Sequence, residues 1–286
     1  MRTCTAVDPV ATLRPFHSGK AGFSSRRGAG NRPGPLEFCM SSSIVILSKS
    51  KHAALTYSPV QDYGFAAGMS AIPLLMPEVE RMADCFAIIF PREGTATPHA
   101  LTGLGGRNIF VDQRGRWTAP CMPLAVANYP FSLAAAPFTH EEERREPVLA
   151  IDEDAPHFRK KKGTPLYDGE GGATDFLKDL LRRMGGQYRL YLDSRKALAE
   201  LQLSGVLRES SVRARVDGRE RSVGGLCLAD RQRVMALPDA TLAGWARNGL
   251  LAMLFAHWHS LRHLETLLRD PSCPAAQEPA PSTPEQ

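Results

Sequence analysis

Residues 257–263 read HWHSLRH, three histidines in seven positions. His259 and His263 are four apart, the spacing at which helical side chains stack on one face and can share a metal. His257 and Ser260 are three apart and offer a base and a hydroxyl on one helix. The glutamate of an H-E-x-x-H zinc site is missing after His259, so the pair matches no complete metal signature. Neighbours on one helix rarely reach nucleophile geometry, and no nucleophile elbow is visible. Two further groups could do chemistry. Asp152 ends an apolar run, PVLAID, and acidic residues at strand ends often hold ligands. Joined by His257 and another histidine, it would complete a two-histidine, one-carboxylate iron site. Asn108, Asp112 and Trp117, extended by Tyr129, make an amide and aromatic set suited to a peptide or sugar. Their alternative is structural, with Asp112 bonding a turn and Trp117 covering a hairpin.

The elements that position these residues follow from periodicity. Taking Leu254 as the centre of a helix at 100° per residue, Leu250, Trp258, Leu261, Glu265 and Leu268 fall within about 40° of it. His257 lies about 60° aside, at the edge of that stripe, half buried. His259 and His263 lie about 140° and 180° away and are expected to face solvent. A core histidine bonding a backbone carbonyl is therefore the alternative to a catalytic His257.

Strands are expected at 44–47, 86–90, 99–104, 108–111 and 147–152. Hairpins are expected around FVDQRGRW, with Gly115 in the turn, and around Asp217-Gly218. Residues 76–85 have helical character. Thr174 caps a helix that should stop at Gly185-Gly186, and a second should run 191–205. A third opens near Pro238-Asp239 and extends toward Asp270, with a break near Gly249. The fold class is α+β: mainly antiparallel strands and hairpins in the N-terminal half, helices in the C-terminal half, and a long C-terminal helix. A charged stretch at 141–162 holds seven acidic and six basic residues and reads as a solvated loop around one strand. LGGRN, 104–108, lacks the spacing of a phosphate-binding loop.

Composition narrows the partners. The chain has 286 residues, 43% hydrophobic, and a net charge of +5. The first 40 residues hold six basic and two acidic side chains, so the remainder is nearly neutral and gives no support for nucleic-acid binding. Residues 1–40 read as a disordered or mis-assigned extension, with organised sequence opening at Met40, and 271–286 as a disordered Pro-rich tail. That leaves 41–270 as one domain. Six scattered cysteines without a C-x-x-C pair argue against a disulfide framework and suit a reducing, cytoplasmic location. The longest clean apolar run, 249–256, is far short of the roughly 20 residues a spanning helix needs.

Several segments occur in an order that resembles the SapC family of bacterial proteins: YGFAAGMSAIPLLMPE (63–78), IIFP (88–91), LTGLGGRNIFVDQRGRW (101–117), NYPFSL (128–133), VLAID (148–152), GTPLYDGEG (163–171) and LLAMLFAHWHSL (250–261). His257 matches the histidine of the family's closing A-H-x-x-S-L pattern. The resemblance implies an accessory protein encoded with surface-layer assembly or export machinery. It also implies a second reading, an enzyme or enzyme accessory in amino-acid or natural-product tailoring, possibly metal-dependent, near tryptophan-halogenase-like proteins. The implied partner is a protein or small ligand of that envelope or tailoring machinery; no cofactor is identified. Many members carry two arginines before the YPF stretch where this chain has Ala127-Asn128, which removes an anion-binding pair.

Overall fold

The computed structural model describes residues 44–91, 97–135, 147–159, 162–216 and 219–270. Both expected appendages, the acidic start of the charged stretch and the Asp217-Gly218 turn lie outside the described residues.

Ten strands and eight α-helices make an α+β fold among the described residues. In chain order the strands are β1 (Ile44–Ile46), β2 (Thr56–Tyr57), β3 (Ala71–Pro73), β4 (Ala87–Ile89), β5 (His99–Leu101), β6 (Phe131–Ala135), β7 (Pro147–Asp152), β8 (Thr164–Pro165), β9 (Leu207–Val216) and β10 (Arg219–Ala229). The helices are α1 (Lys49–His52), α2 (Val79–Met82), α3 (Leu124–Ala127), α4 (Asp175–Leu203), α5 (Arg231–Met235), α6 (Asp239–Arg247), α7 (Leu250–Ser260) and α8 (Leu264–Arg269). All strand pairs are antiparallel. They form two three-stranded sheets, ordered β1-β7-β6 and β3-β5-β4, and two two-stranded ones, β2-β8 and β9-β10.

Two of the cores bear on the candidate residues. Leu149 and Ile151 of β7 and Phe131 and Leu133 of β6 meet Leu177, Leu180 and Met184 of α4. A larger core packs Ile88 and Phe90 against Trp245, Leu250, Met253 and Leu254. The same core takes Ala197, Leu198 and Leu201 from the far end of α4, so one long helix contributes to both. Full burial of a leucine such as Leu250 or Leu254 contributes about 1.5–3 kcal/mol.

The structure departs from the expected elements in four places. Helix α4 runs without a break through Gly185-Gly186; its apolar stripe on two cores outweighs the weak helix preference of two glycines, each roughly 1 kcal/mol below alanine. Its start is as expected, with the Thr174 hydroxyl accepting the Leu177 amide at 3.4 Å, and the chain leaves it through Gly205 at φ +68°. The expected long C-terminal helix is present, helical from Leu250 to Arg269, with the expected break at Gly249 before it. Gly249 at φ +82° separates α6 from α7, and a 3-10 turn at Leu261–His263 separates α7 from α8. Residues 108–111 form no strand; Val111 and Trp117 make a single bridge around the turn. The helix in 76–85 is short, a 3-10 turn at Met76–Glu78 followed by α2. Finally, Cys85 and Cys121 are disulfide-bonded, with Cα atoms 6.1 Å apart. The sequence argued against a disulfide framework; this one bond removes its support for a reducing compartment. Cysteine spacing did not reveal the bond because its ends are 36 residues apart and meet only through the tertiary fold.

Candidate functional site

His257 is fully buried, at 0% exposure, where the sequence placed it at a half-buried edge. Its Nε2 accepts the Ala229 amide of β10 at 3.2 Å and its Nδ1 donates to the Ile88 carbonyl of β4 at 2.8 Å. Those two bonds fix the neutral, Nδ1-protonated tautomer. Burial pulls its pKa down to about 4, partly opposed by the bond to Ile88. Ser260, also fully buried, accepts the Ile88 amide at 2.8 Å and donates to the His257 carbonyl. The two side chains thus replace strand partners for Ile88 and Ala229 and join α7 to two sheets. Trp258 adds a third link, from its indole N–H to the Ala229 carbonyl at 2.8 Å.

The other two histidines do not act together. His259 is exposed and touches the Arg262 guanidinium. His263 is half-buried rather than solvent-facing, and its Nε2 bonds the Ala83 carbonyl at 3.1 Å. The 3-10 turn rotates His263 off the uninterrupted helical register on which the angular reading depended. Among the described residues, no group of three or more His, Cys, Asp or Glu is arranged to hold a metal.

Around the 112–117 turn the side chains of Asn108, Asp112 and Trp117 each bond to backbone. Asn108, fully buried, donates to the Ala66 carbonyl at 3.2 Å and accepts the Phe110 amide at 2.9 Å. One Asp112 oxygen accepts the Arg114 and Arg116 amides, and the other accepts the Arg116 guanidinium at 2.7 Å. The Arg116 amide foremost, with its guanidinium and the Arg114 amide, holds the Asp112 carboxyl below the usual range. Trp117 is half-buried and donates to the Cys121 carbonyl at 2.8 Å.

Asp152 and Tyr129, separate candidates in the sequence, come together. Asp152 closes β7 and pairs with Ile44 of β1; its amide donates to the Pro130 carbonyl at 3.0 Å. Tyr129 precedes β6 across a cis Tyr129–Pro130 peptide, and its hydroxyl donates to Asp152 Oδ2 at 3.0 Å. Asp152 Oδ1 accepts the Asp154 amide at 3.1 Å. The turn beyond is anchored by Glu153, whose carboxylate meets His52 Nε2 at 2.7 Å. Asp152 is only 7% exposed. Burial first, then the hydrogen bond and charge of Asp152, push the Tyr129 hydroxyl above the ordinary phenol range, so it stays a donor. Phe65 stacks on the Tyr129 ring at 3.7 Å, and His157 meets it edge-on at 5.3 Å.

Beside this pair lies a small cleft of about 30 Å³, lined by Ile44, Ala125, Tyr129, Pro130, Phe131, Ser132 and Asp152. Of its walls, sequence reasoning had singled out Tyr129 and Asp152 as site residues and missed Ile44, Ala125 and Ser132. A signal existed: NYPFSL and VLAID are both apolar stretches ending in, or starting from, a polar group, and neighbouring strands bring such ends together. His257 and Asp152 are not joined. His257 bonds to β4 and β10, and Asp152 sits on the β1-β7-β6 sheet.

The molecule so described is an α+β protein whose central histidine is bonded on both sides to backbone and whose described small cleft has a buried carboxylate in its wall. The SapC family model matches residues 47–267, most of the chain, and the protein belongs to the SapC family. No curated protein and no solved structure matches it. Among the described residues no helix is long and apolar enough to cross a membrane.

Proposed function

We propose that this SapC-family chain is a binding or accessory protein of bacterial envelope or surface-layer machinery, and that it holds its partner or small ligand at the Tyr129–Asp152 cleft. The carrying observation is Asp152: a carboxylate 7% exposed, at a strand end, lining a cleft with Tyr129 and Ser132. Buried carboxylates are costly unless something compensates them, and ligand sites gather a few polar groups in an otherwise apolar wall. The engagement of His257 and Ser260 with backbone favours binding over chemistry at HWHSLRH. The surface-layer and envelope context comes from the family resemblance.

Affinity purification of the full chain from its native cells tests this, with Ala125→Phe as a variant that fills the cleft. A surface-layer, export or receptor component that copurifies with the wild type and is lost with Ala125→Phe supports the reading. Equal recovery with both, or no envelope component with either, overturns it. The cytoplasmic side of that machinery is the expected location, whereas the Cys85–Cys121 bond favours an oxidising one. Alkylation of cells before lysis decides between them: two blocked thiols at these positions place the chain in the cytoplasm.

A further inference from the structure

We infer that the Tyr129–Asp152 cleft takes an alkylammonium group, the charged end of a primary amine; this rests on the binding reading above and names the chemistry of its ligand. The argument begins with charge. Asp152 receives two neutral donors, the Tyr129 hydroxyl and the Asp154 amide. Among the described residues no lysine, arginine or histidine makes an ion pair with it. Arg159, whose charge reaches Tyr129, instead donates to the Asp154 carbonyl at 2.9 Å. His52, the neighbouring imidazole, is taken by Glu153. Buried carboxylates are ordinarily paired with a cation. Here Asp152 lines the cleft instead.

The lining fits that ligand. An ammonium has three donors and no acceptor. Three oxygen-bearing side chains belong to residues that line the cleft: Asp152, with lone pairs remaining, Tyr129, whose own hydrogen is donated to Asp152, and Ser132. Among the described residues no basic side chain lines it, which disfavours a phosphate or carboxylate ligand. The rest of the wall is apolar, from Ile44, Ala125, Pro130 and Phe131, and suits the methylenes beside the nitrogen. Size completes the case. A cleft of about 30 Å³ has room for roughly two or three water-sized groups, enough for an aminomethyl or aminoethyl end and too little for a sugar ring. Such an end belongs either to a small free amine or to a lysine side chain of a partner.

The test is a titration of the full chain with ethylammonium chloride, followed by amide NMR shifts. Sodium chloride at equal ionic strength and ethanol are the controls. Saturable shifts at Ile44, Ala125, Ser132 and Asp152 are expected with ethylammonium and not with ethanol. Asp152→Asn, which removes the charge and keeps the shape, should weaken binding by about tenfold or more. Ala125→Phe should abolish it, and unchanged shifts elsewhere in that variant's spectrum report an intact fold. Tighter binding of Nα-acetyl-lysine amide than of ethylammonium assigns the site to a partner's lysine; the reverse assigns it to a small free amine. Equal shifts with ethanol, no saturation with either amine, or wild-type affinity in a folded Asp152→Asn protein overturns the proposal. If the amines fail while an envelope component is still lost with Ala125→Phe, the amine chemistry falls and the binding reading stands.

Discussion

Acidification should loosen this fold through His257. In the folded protein the ring is neutral, because Nε2 already accepts the Ala229 amide and a second proton would face that N–H. Burial lowers its pKa from 6.5 to about 4. The unfolded chain therefore binds a proton that the folded chain refuses throughout that window. Stability linked to His257 is complete above about pH 6.5 and is lost progressively as pH falls toward about 4. A difference of about 2.5 pK units corresponds to about 3 kcal/mol, a large share of the stability of an ordinary domain. Urea unfolding at a series of pH values reads it directly. His257→Gln, which keeps a donor and an acceptor but does not titrate, is the reference. The carboxylates, and the half-buried histidines His99 and His263 with their own lowered pKa values, are common to both proteins and cancel in the difference. The wild type should lose about 3 kcal/mol more than His257→Gln across the window. Parallel pH profiles would show that the ring is not held neutral between Ala229 and Ile88, and would refute the reasoning.

Other outcomes follow from the same contacts. His257→Ala strands the Ala229 amide and the Ile88 carbonyl in the core and should cost about 3–5 kcal/mol, against about 1 kcal/mol for His259→Ala and His263→Ala together; equal melting temperatures for the two proteins would contradict this. Gly185→Ala and Gly186→Ala, where an added Cβ meets nothing within 4 Å, should each stabilise α4 by about 0.5–1 kcal/mol in thermal unfolding. A Cys85→Ser, Cys121→Ser protein should lose up to about 4 kcal/mol, the chain-entropy value for a 36-residue separation; recovery of both thiols free in the purified, unreduced wild type would contradict the bond. Asp112→Ala should lower the melting temperature by removing the acceptor of two turn amides, and an unchanged transition would show that the turn holds without it.

Much of the architecture was legible because period and punctuation are local. Thr174 marked the start of α4, the PVLAID run marked β7, and Gly115 and Gly249 marked a turn and a break at the positive φ angles that glycine tolerates. The failures came where a distant partner decides. Gly185-Gly186 reads as a stop until two cores hold the helix together. His257 reads as an edge position on a lone helix, but β4 and β10 close over it. Cys85 and Cys121 carry no spacing signal at all. For the site, Asp152 and Tyr129 were each identifiable from type and position, whereas their pairing depends on the β6–β7 register, Phe131 opposite Ile151, which no short motif encodes.

The most direct test of the binding claim is photocrosslinking in living cells from a reactive amino acid placed at Ser132, on the cleft wall, with exposed Arg247 of α6 as the control position. The account predicts a specific adduct with one envelope or surface-layer component, or with an amine-bearing ligand, from position 132 and not from 247. The same adducts from both positions, or none from 132 in a folded protein, would contradict it.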